Sequence, residues 1–263
     1  MKGFLLQRNE GWTFSVVPEL AETAFVPLCC LPQGVCPDDV KSVVSSANTE
    51  VRCFNFQGKE YYLKEYFFLG WKKHLKLFRR GEKLVTIAHQ LSEKGFLTPR
   101  VVAFGRCKGN RRVITEAIEG ALDVWQVLYP GFRESRGDVS GDFMVAVGGS
   151  IGDLHRNGFF HGDLRWRNIL TKKGQEGWLI YFIDNDRTQY FRSGIPFRCR
   201  VKNLSQFLFS GMLVNWPERD WQHFLNGYFV RSQISPSYYD KLMRCVDAKV
   251  RKRMSGRIRR GGK

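Results

Sequence analysis

The chain has 263 residues, 43% of them hydrophobic, with 21 Phe, 9 Tyr and 7 Trp; that is enough apolar matter for a packed core and excludes wholesale disorder. A net charge of +17 favours anionic partners: phosphate, carboxylate, nucleic acid or an anionic membrane surface. No stretch approaches the ~18 apolar residues of a membrane span, and Met1-Lys2-Gly3-Phe4-Leu5-Leu6-Gln7-Arg8 breaks too early for a secretory segment, so a cytoplasmic location is expected.

The first 38 or so residues carry no functional signal; Cys29-Cys30 and Pro32 suggest an irregular segment packed on the first half of the chain. Residues 40–44, 50–56 and 61–66 read as three strands, separated by Ser45-Ser46-Ala47-Asn48-Thr49 and Gln57-Gly58-Lys59, which are turn-like. Residues 81–94 read as a helix, because Leu84, Ile87, Ala88 and Leu91 recur at three- and four-residue spacing, with Gly95 and Pro99 as stops. Two strands follow, 101–105 and 112–115, around the basic turn Lys108-Gly109-Asn110-Arg111.

The second half is mainly helical. Residues 121–128 and 143–157 are candidates, the latter weakened by Gly148, Gly149 and Gly152, since each Gly costs ~1 kcal/mol against Ala in a helix interior. Residues 169–171 and 178–183 form a hairpin, and helices follow around 201–213, 216–231 and 236–248. Residues 249–263 hold eight Lys/Arg and no acid, and with three Gly they read as a solvated, mobile tail, either merely solubilising or drawn to an anionic surface. The seven Cys are odd in number and lack any Cys-x-x-Cys pair, so they are read as reduced apolar residues rather than a zinc site or disulfide framework.

His161-Gly162-Asp163-Leu164-Arg165-Trp166-Arg167-Asn168, followed by Ile183-Asp184-Asn185-Asp186-Arg187, carries the chemistry. Phosphoryl transfer from ATP needs one carboxylate to receive or orient the attacking hydroxyl, and an amide and a second carboxylate to hold magnesium on the phosphates. Asp163 lies on a loop between apolar segments and is the candidate base; Asn168 and Asp184 are the candidate magnesium ligands. Lys64, on the third strand, is the candidate ligand of the α- and β-phosphates. Glu82, in the first turn of the following helix, is its expected partner ahead of Glu93 or the adjacent Glu65, which points to the opposite strand face. Arg165, with Trp166 and Arg167, either clamps the γ-phosphate or an anionic acceptor, or forms a surface basic cluster. His161 is expected to orient the loop backbone, and His155 to be structural. The segment Thr115-Glu116-Ala117-Ile118-Glu119-Gly120 joins the two halves and would offer backbone groups to adenine at Glu116 and Ile118.

With these residues in hand, the chain resembles the lipopolysaccharide kinase family, the Kdo and heptose kinases of Gram-negative core assembly, over about residues 40–228. The resemblance is carried by Tyr62-Leu63-Lys64-Glu65-Tyr66, Glu82, Pro99, Thr115-Glu116-Ala117, His161-Gly162-Asp163 with Asn168, Asp184-Asn185-Asp186-Arg187, and the later stretch 198–207 with Asn203-Leu204. It implies an α+β, protein-kinase-like bilobed fold: a small, mainly β N-lobe with one key helix over 1–116, a mainly helical C-lobe over 117–248, and the basic tail 249–263. It implies ATP and Mg2+ as cofactors, with the roles already named for Lys64, Glu82, Asp163, Asn168 and Asp184. The acceptor would be a sugar hydroxyl of the lipopolysaccharide inner core, met at the cytoplasmic membrane face by a peripheral protein; nucleic acid is not the expected partner.

Three positions depart from kinase patterns. Residues 45–49 lack a Gly-rich phosphate loop, Asn185 stands where Asp-Phe-Gly has its aromatic, and Gly162 stands where many kinases carry Arg, so phosphorylation control through that Arg is not expected. The competing enzyme reading is a phosphotransferase of the aminoglycoside or choline kinase type. Those acceptors are cationic, which suits a +17 chain with Arg165 and Arg167 beside the base poorly. The non-enzymatic reading, a degenerate kinase-like binding module, is disfavoured because Lys64, Asp163, Asn168 and Asp184 all occur together.

Overall fold

The computed structural model describes residues 3–30, 40–46, 48–67, 80–128 and 141–261. The chain divides into two compact units, residues 1–90 with 98–119 and residues 91–97 with 120–263.

The first unit is built on one antiparallel seven-stranded sheet. Its strands are β1 (Leu5–Asn9), β2 (Trp12–Val16), β3 (Val40–Ser45), β4 (Thr49–Phe56), β5 (Lys59–Tyr66), β6 (Val101–Cys107) and β7 (Asn110–Glu116), in the order β1-β2-β6-β7-β5-β4-β3. The hairpins β1–β2, β4–β5 and β6–β7 turn on Glu10-Gly11, Gln57-Gly58 and Lys108-Gly109, both residues of each pair left-handed, the tight turn that matches strand twist. The N-terminal segment is therefore not irregular as far as residue 30. It supplies two ordered strands at the sheet edge and two short helices, α1 (Pro18–Ala21) and α2 (Phe25–Cys30). The physical reason is the alternation of Trp12, Phe14 and Val16, all buried, with Thr13 and Ser15 between them.

Each face of the sheet has its own core. On one face Phe25 of α2 meets Phe54 and Tyr61 at ring separations of 5.8 and 5.0 Å, joined by Phe14, Leu63 and Ile114. On the other, Tyr66, Phe104 and Val113 pack with Leu84 of α3 (Arg80–Glu93). Tyr61, Leu63 and Glu65 share the first face, and Lys64 and Tyr66 the second. Glu65 is buried and ion-paired with Arg52 (3.1 Å) and Arg112 (2.8 Å). Arg112 also donates to the Cys29 carbonyl and lies 4.1 Å above the Trp12 ring, which ties the end of α2 to the sheet.

The second unit is mainly helical. β8 (Leu122–Asp123) leads into α4 (Val124–Leu128), so the stretch 121–128 is a short strand before its helix. α5 (Gly141–Arg156), β9 (Phe159–Phe160), the hairpin β10 (Ile169–Lys173) and β11 (Trp178–Phe182), and β12 (Gln189–Tyr190) follow; β8 joins the hairpin and β12 pairs with β9. α6 (Phe197–Met212), α7 (Glu218–Ser232) and α8 (Pro236–Gly261) complete it. The glycines of α5 are a packing requirement rather than a weakness. A Cβ on Gly148 would lie 2.0 Å from the Phe224 carbonyl of α7, and one on Gly152 2.6 Å from that of Tyr228.

Residues 249–261 continue α8 instead of forming a mobile tail. Leu242, Val246 and Val250 repeat every four residues and are buried, and α8 packs against α6, so the basic stretch is held by the apolar stripe that precedes it. The six described cysteines are all free.

Candidate active site

The His-Gly-Asp loop leaves β9 and is pinned by its apolar residues. Leu164 and Trp166 are buried, the latter against Phe207 and Trp216 with ring centroids 5.8 and 5.1 Å away, so Arg165 and Arg167 are left exposed. Asp163 is 6% exposed. Its two carboxylate oxygens accept from Arg165 Nε at 2.7 Å and Nη2 at 2.9 Å, a bidentate pair, and Gln206 Nε2 approaches Oδ1 at 3.4 Å. Asn168 Nδ2 donates to the Asp163 carbonyl at 2.8 Å, closing the loop and leaving the amide oxygen of Asn168 outside that bond.

Asp184 reaches the same place by way of the hairpin. Ile169 faces Phe182 across the β10–β11 ladder, and Ile183 N donates to Asn168 O at 3.0 Å, so Asn168 and Asp184 sit at the same end of the hairpin. His161 links the two segments: Nε2 donates to Ile183 O at 2.9 Å while Nδ1 accepts from Asp163 N at 3.4 Å. That network fixes a neutral ring, in accord with burial, which holds its pKa below the usual value against the pull of Asp184 and Asp163. Asp184 itself is left-handed at φ 58° and ψ 45°, a backbone state that non-Gly residues hold only when their surroundings enforce it.

Asn185 performs by hydrogen bonding what an aromatic would perform by packing. It is buried, donates to Phe182 O at 2.8 Å and accepts from Thr188 Oγ1 at 3.1 Å, and Thr188 Oγ1 also reaches His161 O at 3.2 Å. The turn after Asp184 thereby bonds back to the His161 loop. Gly162 follows from the same closeness: at φ 82°, a Cβ there would lie 2.6 Å from the Arg187 carbonyl, so no side chain fits.

A buried polar layer supports the loop from below. Asn203 Oδ1 accepts from His161 N and from His155 Nε2, both at 3.1 Å; His155 Nδ1 accepts from Tyr228 OH at 3.0 Å, which accepts in turn from Arg200 Nη1 at 2.7 Å. Burial, then Arg200, pushes the His155 pKa down to about 3, so its ring is neutral. Gln206 Oε1 accepts from Leu164 N at 3.2 Å while its Nε2 bonds Gly162 O at the same distance. Gln206 and Thr188 carry no local signature in the sequence, and Asn203 enters only through the resemblance. The available signal was two amides, Asn203 and Gln206, embedded in the apolar stripe of Leu204 and Phe207.

The structure thus brings Asp163, Arg165, Asn168 and Asp184 together around His161. Lys64, Glu116 and Ile118 belong to the first unit. Lys64 lies between Val51 and Val113 in the sheet, with Nζ 5.3 Å from the Tyr66 ring centroid, on the face that carries α3. Glu82 is in the first turn of α3, but its side chain, and hence the expected pairing with Lys64, lies outside the described residues. Glu65 occupies the opposite face, bound to Arg52 and Arg112. At the end of β7, the N–H groups of Glu116 and Ala117 are used by Arg100 O (3.0 Å) and Glu60 O (2.9 Å). The Glu116 N–H is therefore already used.

Among the described residues no cluster of three His, Cys, Asp or Glu side chains could hold a metal alone. Magnesium carried by a nucleotide needs no such cage, since it keeps waters and phosphate oxygens and takes one or two protein oxygens. Asn168 and Asp184 are a donor set of that kind. No helix among the described residues is long and apolar enough to cross a membrane.

Comparison with known proteins bears on the family and the fold. The sequence model of the Lipopolysaccharide kinase (Kdo/WaaP) family matches residues 42–228. A 3-deoxy-D-manno-octulosonic acid kinase of Pasteurella multocida (strain Pm70) is 28% identical over 156 residues, 54% of this chain and 60% of that protein. The chain therefore matches only three fifths of that relative's length. A solved structure described as WaaP in complex with acyl carrier protein superposes with a TM-score of 0.62 at 22% identity, over 81% of this chain and 88% of that one. A likeness of that degree shows the fold, and it is the kinase-like α+β fold that the sequence implied.

Proposed function

Because this chain belongs to the lipopolysaccharide kinase (Kdo/WaaP) family, we propose that it is an ATP-dependent kinase that phosphorylates a hydroxyl of the lipopolysaccharide inner core, on a 3-deoxy-D-manno-octulosonic acid or heptose unit. The observation that carries this reading is the bridge made by His161, which bonds Asp163 N on one side and Ile183 O on the other and so gathers two acids and Asn168 into one polar cluster.

In this reading Asp163 accepts the hydrogen bond of the attacking hydroxyl and receives its proton as transfer proceeds. Its nearly buried carboxylate is aimed by Arg165 and by Gln206, and the exposed Arg165 yields an oxygen to the incoming hydroxyl. Asn168 and Asp184 would hold magnesium, which when bound screens the charge that develops on the transferred phosphoryl group. Lys64 would neutralise the α- and β-phosphates with Glu82 as its partner, and adenine would be met by the Glu116 carbonyl and the Ile118 N–H. Arg165 carries positive charge toward either the γ-phosphate or an anionic acceptor. The net charge of +17 favours an acceptor rich in carboxylate and phosphate over a cationic one.

The test is incubation of the full chain with MgATP and lipid acceptors bearing 3-deoxy-D-manno-octulosonic acid or heptose, followed by mass and phosphorus NMR of the product. A new sugar phosphomonoester is expected; ATP consumption without one, or no turnover on any such acceptor, overturns the reading.

An acceptor borne on a lipid implies a peripheral protein at the inner face of the inner membrane. Lys249, Arg251, Lys252 and Arg257 of α8 are exposed and suit an anionic leaflet, at roughly 1 kcal/mol each. Sedimentation with phosphatidylglycerol vesicles should weaken with salt and with Gln at those four positions. Sedimentation that ignores both removes α8 as the membrane contact.

A further inference from the structure

Helix α8 lies beyond the residues the family model matches, yet it packs on α6, the helix whose Gln206 supports the candidate base. The apolar stripe that seats α8, ending at Val250, is continued one turn later by Arg253. The Arg253 guanidinium lies 4.3 Å from the ring centroid of Phe209 on α6. Phe209 is one turn beyond Gln206, the side chain that bonds Gly162 O and approaches Asp163 Oδ1. Gln206, Phe209 and Arg253 thus form a continuous path from the base to α8. Arg253 makes no salt bridge among the described residues, but it senses both ends of the Asp163–Arg165 pair. Partial burial and then the Arg165 guanidinium push its pKa down, and the Asp163 carboxylate pulls it up.

The charges at this spot do not balance: with Arg253 on Phe209, one turn from Gln206, two guanidinium groups stand near one carboxylate, and that carboxylate is already bidentate to Arg165. An anion placed between Arg165 and Arg253 would relieve their repulsion and satisfy donors that Asp163 does not reach. It would also draw Arg165 from Asp163, leaving the carboxylate to accept from a hydroxyl on the same molecule. The path from Arg253 arrives through α6, whereas Asn168 and Asp184 arrive through the β10–β11 hairpin, so the anion site and the magnesium ligands approach the loop on different elements.

We propose that Arg253 is an acceptor-specificity residue that forms with Arg165 a two-guanidinium seat for the carboxylate or phosphate of an anionic sugar acceptor beside Asp163. This rests on the kinase reading above. It makes acceptor charge a condition of turnover, and it assigns α8 a part in recognition.

The experiment compares wild type, Arg253→Met and Arg253→Lys as full chains. Met keeps an apolar stem on Phe209 without the charge; Lys keeps the charge without the fork. The acceptors are a lipid-linked 3-deoxy-D-manno-octulosonate and the same molecule with its carboxylate reduced to an alcohol. KM and kcat are measured for acceptor and for MgATP. Arg253→Met should raise KM for the acid acceptor about ten- to a hundredfold, the range for one charge-assisted bond, with KM for MgATP within about twofold of wild type. Arg253→Lys should fall between, and on the reduced acceptor all three proteins should converge. An unchanged KM for the acid acceptor overturns the proposal. So does an equal loss on both acceptors, or a rise confined to MgATP, which would assign the guanidinium to the nucleotide phosphate. If Arg253→Met fails to fold, the Lys variant carries the comparison alone. A wild-type enzyme that phosphorylates neither acceptor overturns this inference, and failure on a heptose-bearing lipid as well removes the kinase reading with it; an active wild type with an indifferent Arg253→Met removes this inference only.

Discussion

Glu65 and Asp163 are both carboxylates held by guanidinium groups, one in each unit, and they differ in what surrounds the pair. Glu65 is 2% exposed and its partners Arg52 and Arg112 are as deeply buried, so the cluster is closed to solvent. Asp163 is 6% exposed but the side chain of its partner Arg165 is 53% exposed. A pair with both members buried cannot exchange partners without leaving an unpaired charge in the interior, which is strongly unfavourable. A pair with one exposed member can, because water receives the released group. The first arrangement fixes the position of α2 on the sheet; the second suits the role proposed for Asp163, a carboxylate that changes partners during turnover.

The largest effect expected of this contrast is kinetic. Asp163→Asn should lower kcat by roughly 10²–10⁴, the range for losing a positioned acid or base, with MgADP still raising the unfolding midpoint. Retained turnover would take Asp163 out of the mechanism.

The next comparison is thermodynamic and sets the two pairs side by side. Glu65→Leu strands Arg52 and Arg112 in the interior and should cost about 3–5 kcal/mol in urea unfolding. Arg165→Met leaves Asp163 with the Gln206 amide and opens its outer side to water, so it should cost clearly less stability than Glu65→Leu while impairing turnover. Similar losses of stability from both variants would erase the distinction between a closed and an exchangeable pair.

A smaller effect sharpens the description of the layer beneath Asp163. His155 has a folded pKa near 3 against 6.5 for the free side chain, so the unfolded chain takes up a proton that the folded one refuses. Stability should therefore be unaffected by this group above about pH 6.5 and fall below it, by roughly 1 kcal/mol per pH unit from this side chain. His155→Gln should lessen that slope between pH 6.5 and 5 in denaturant titrations. An unaltered slope would mean that His155 is not buried neutral.

The contrast also explains what could be read from the residues alone. Asp163, Asn168 and Asp184 were legible because loop, hairpin and second acid are consecutive, so a local pattern carries a local geometry. The strands of residues 40–66 and the helix at 81–94 were legible from turn residues and from the Leu84–Leu91 period. The β1–β2 hairpin was missed because Leu5 and Leu6, both exposed, blur the alternation that Trp12, Phe14 and Val16 keep. The last turns of α8 were misread because charge and Gly256 outweighed the Val246–Val250 spacing, whose partner on α6 lies far away in sequence. The glycines of α5 were weighed as poor helix formers, when the backbone of α7 is what makes them necessary. Gln206, Asn203 and Thr188 act through contacts between distant segments, and no window of sequence encodes those.

The left-handed backbone of Asp184 has a practical consequence for anyone dissecting this cluster. Asp and Asn tolerate that conformation better than alanine does, because their short polar side chains bond locally. An alanine scan would therefore record two losses at once at position 184, a missing carboxylate, the proposed magnesium ligand, and a turn that no longer wants its shape. The asparagine substitution separates the carboxylate's charge from the bend that presents it.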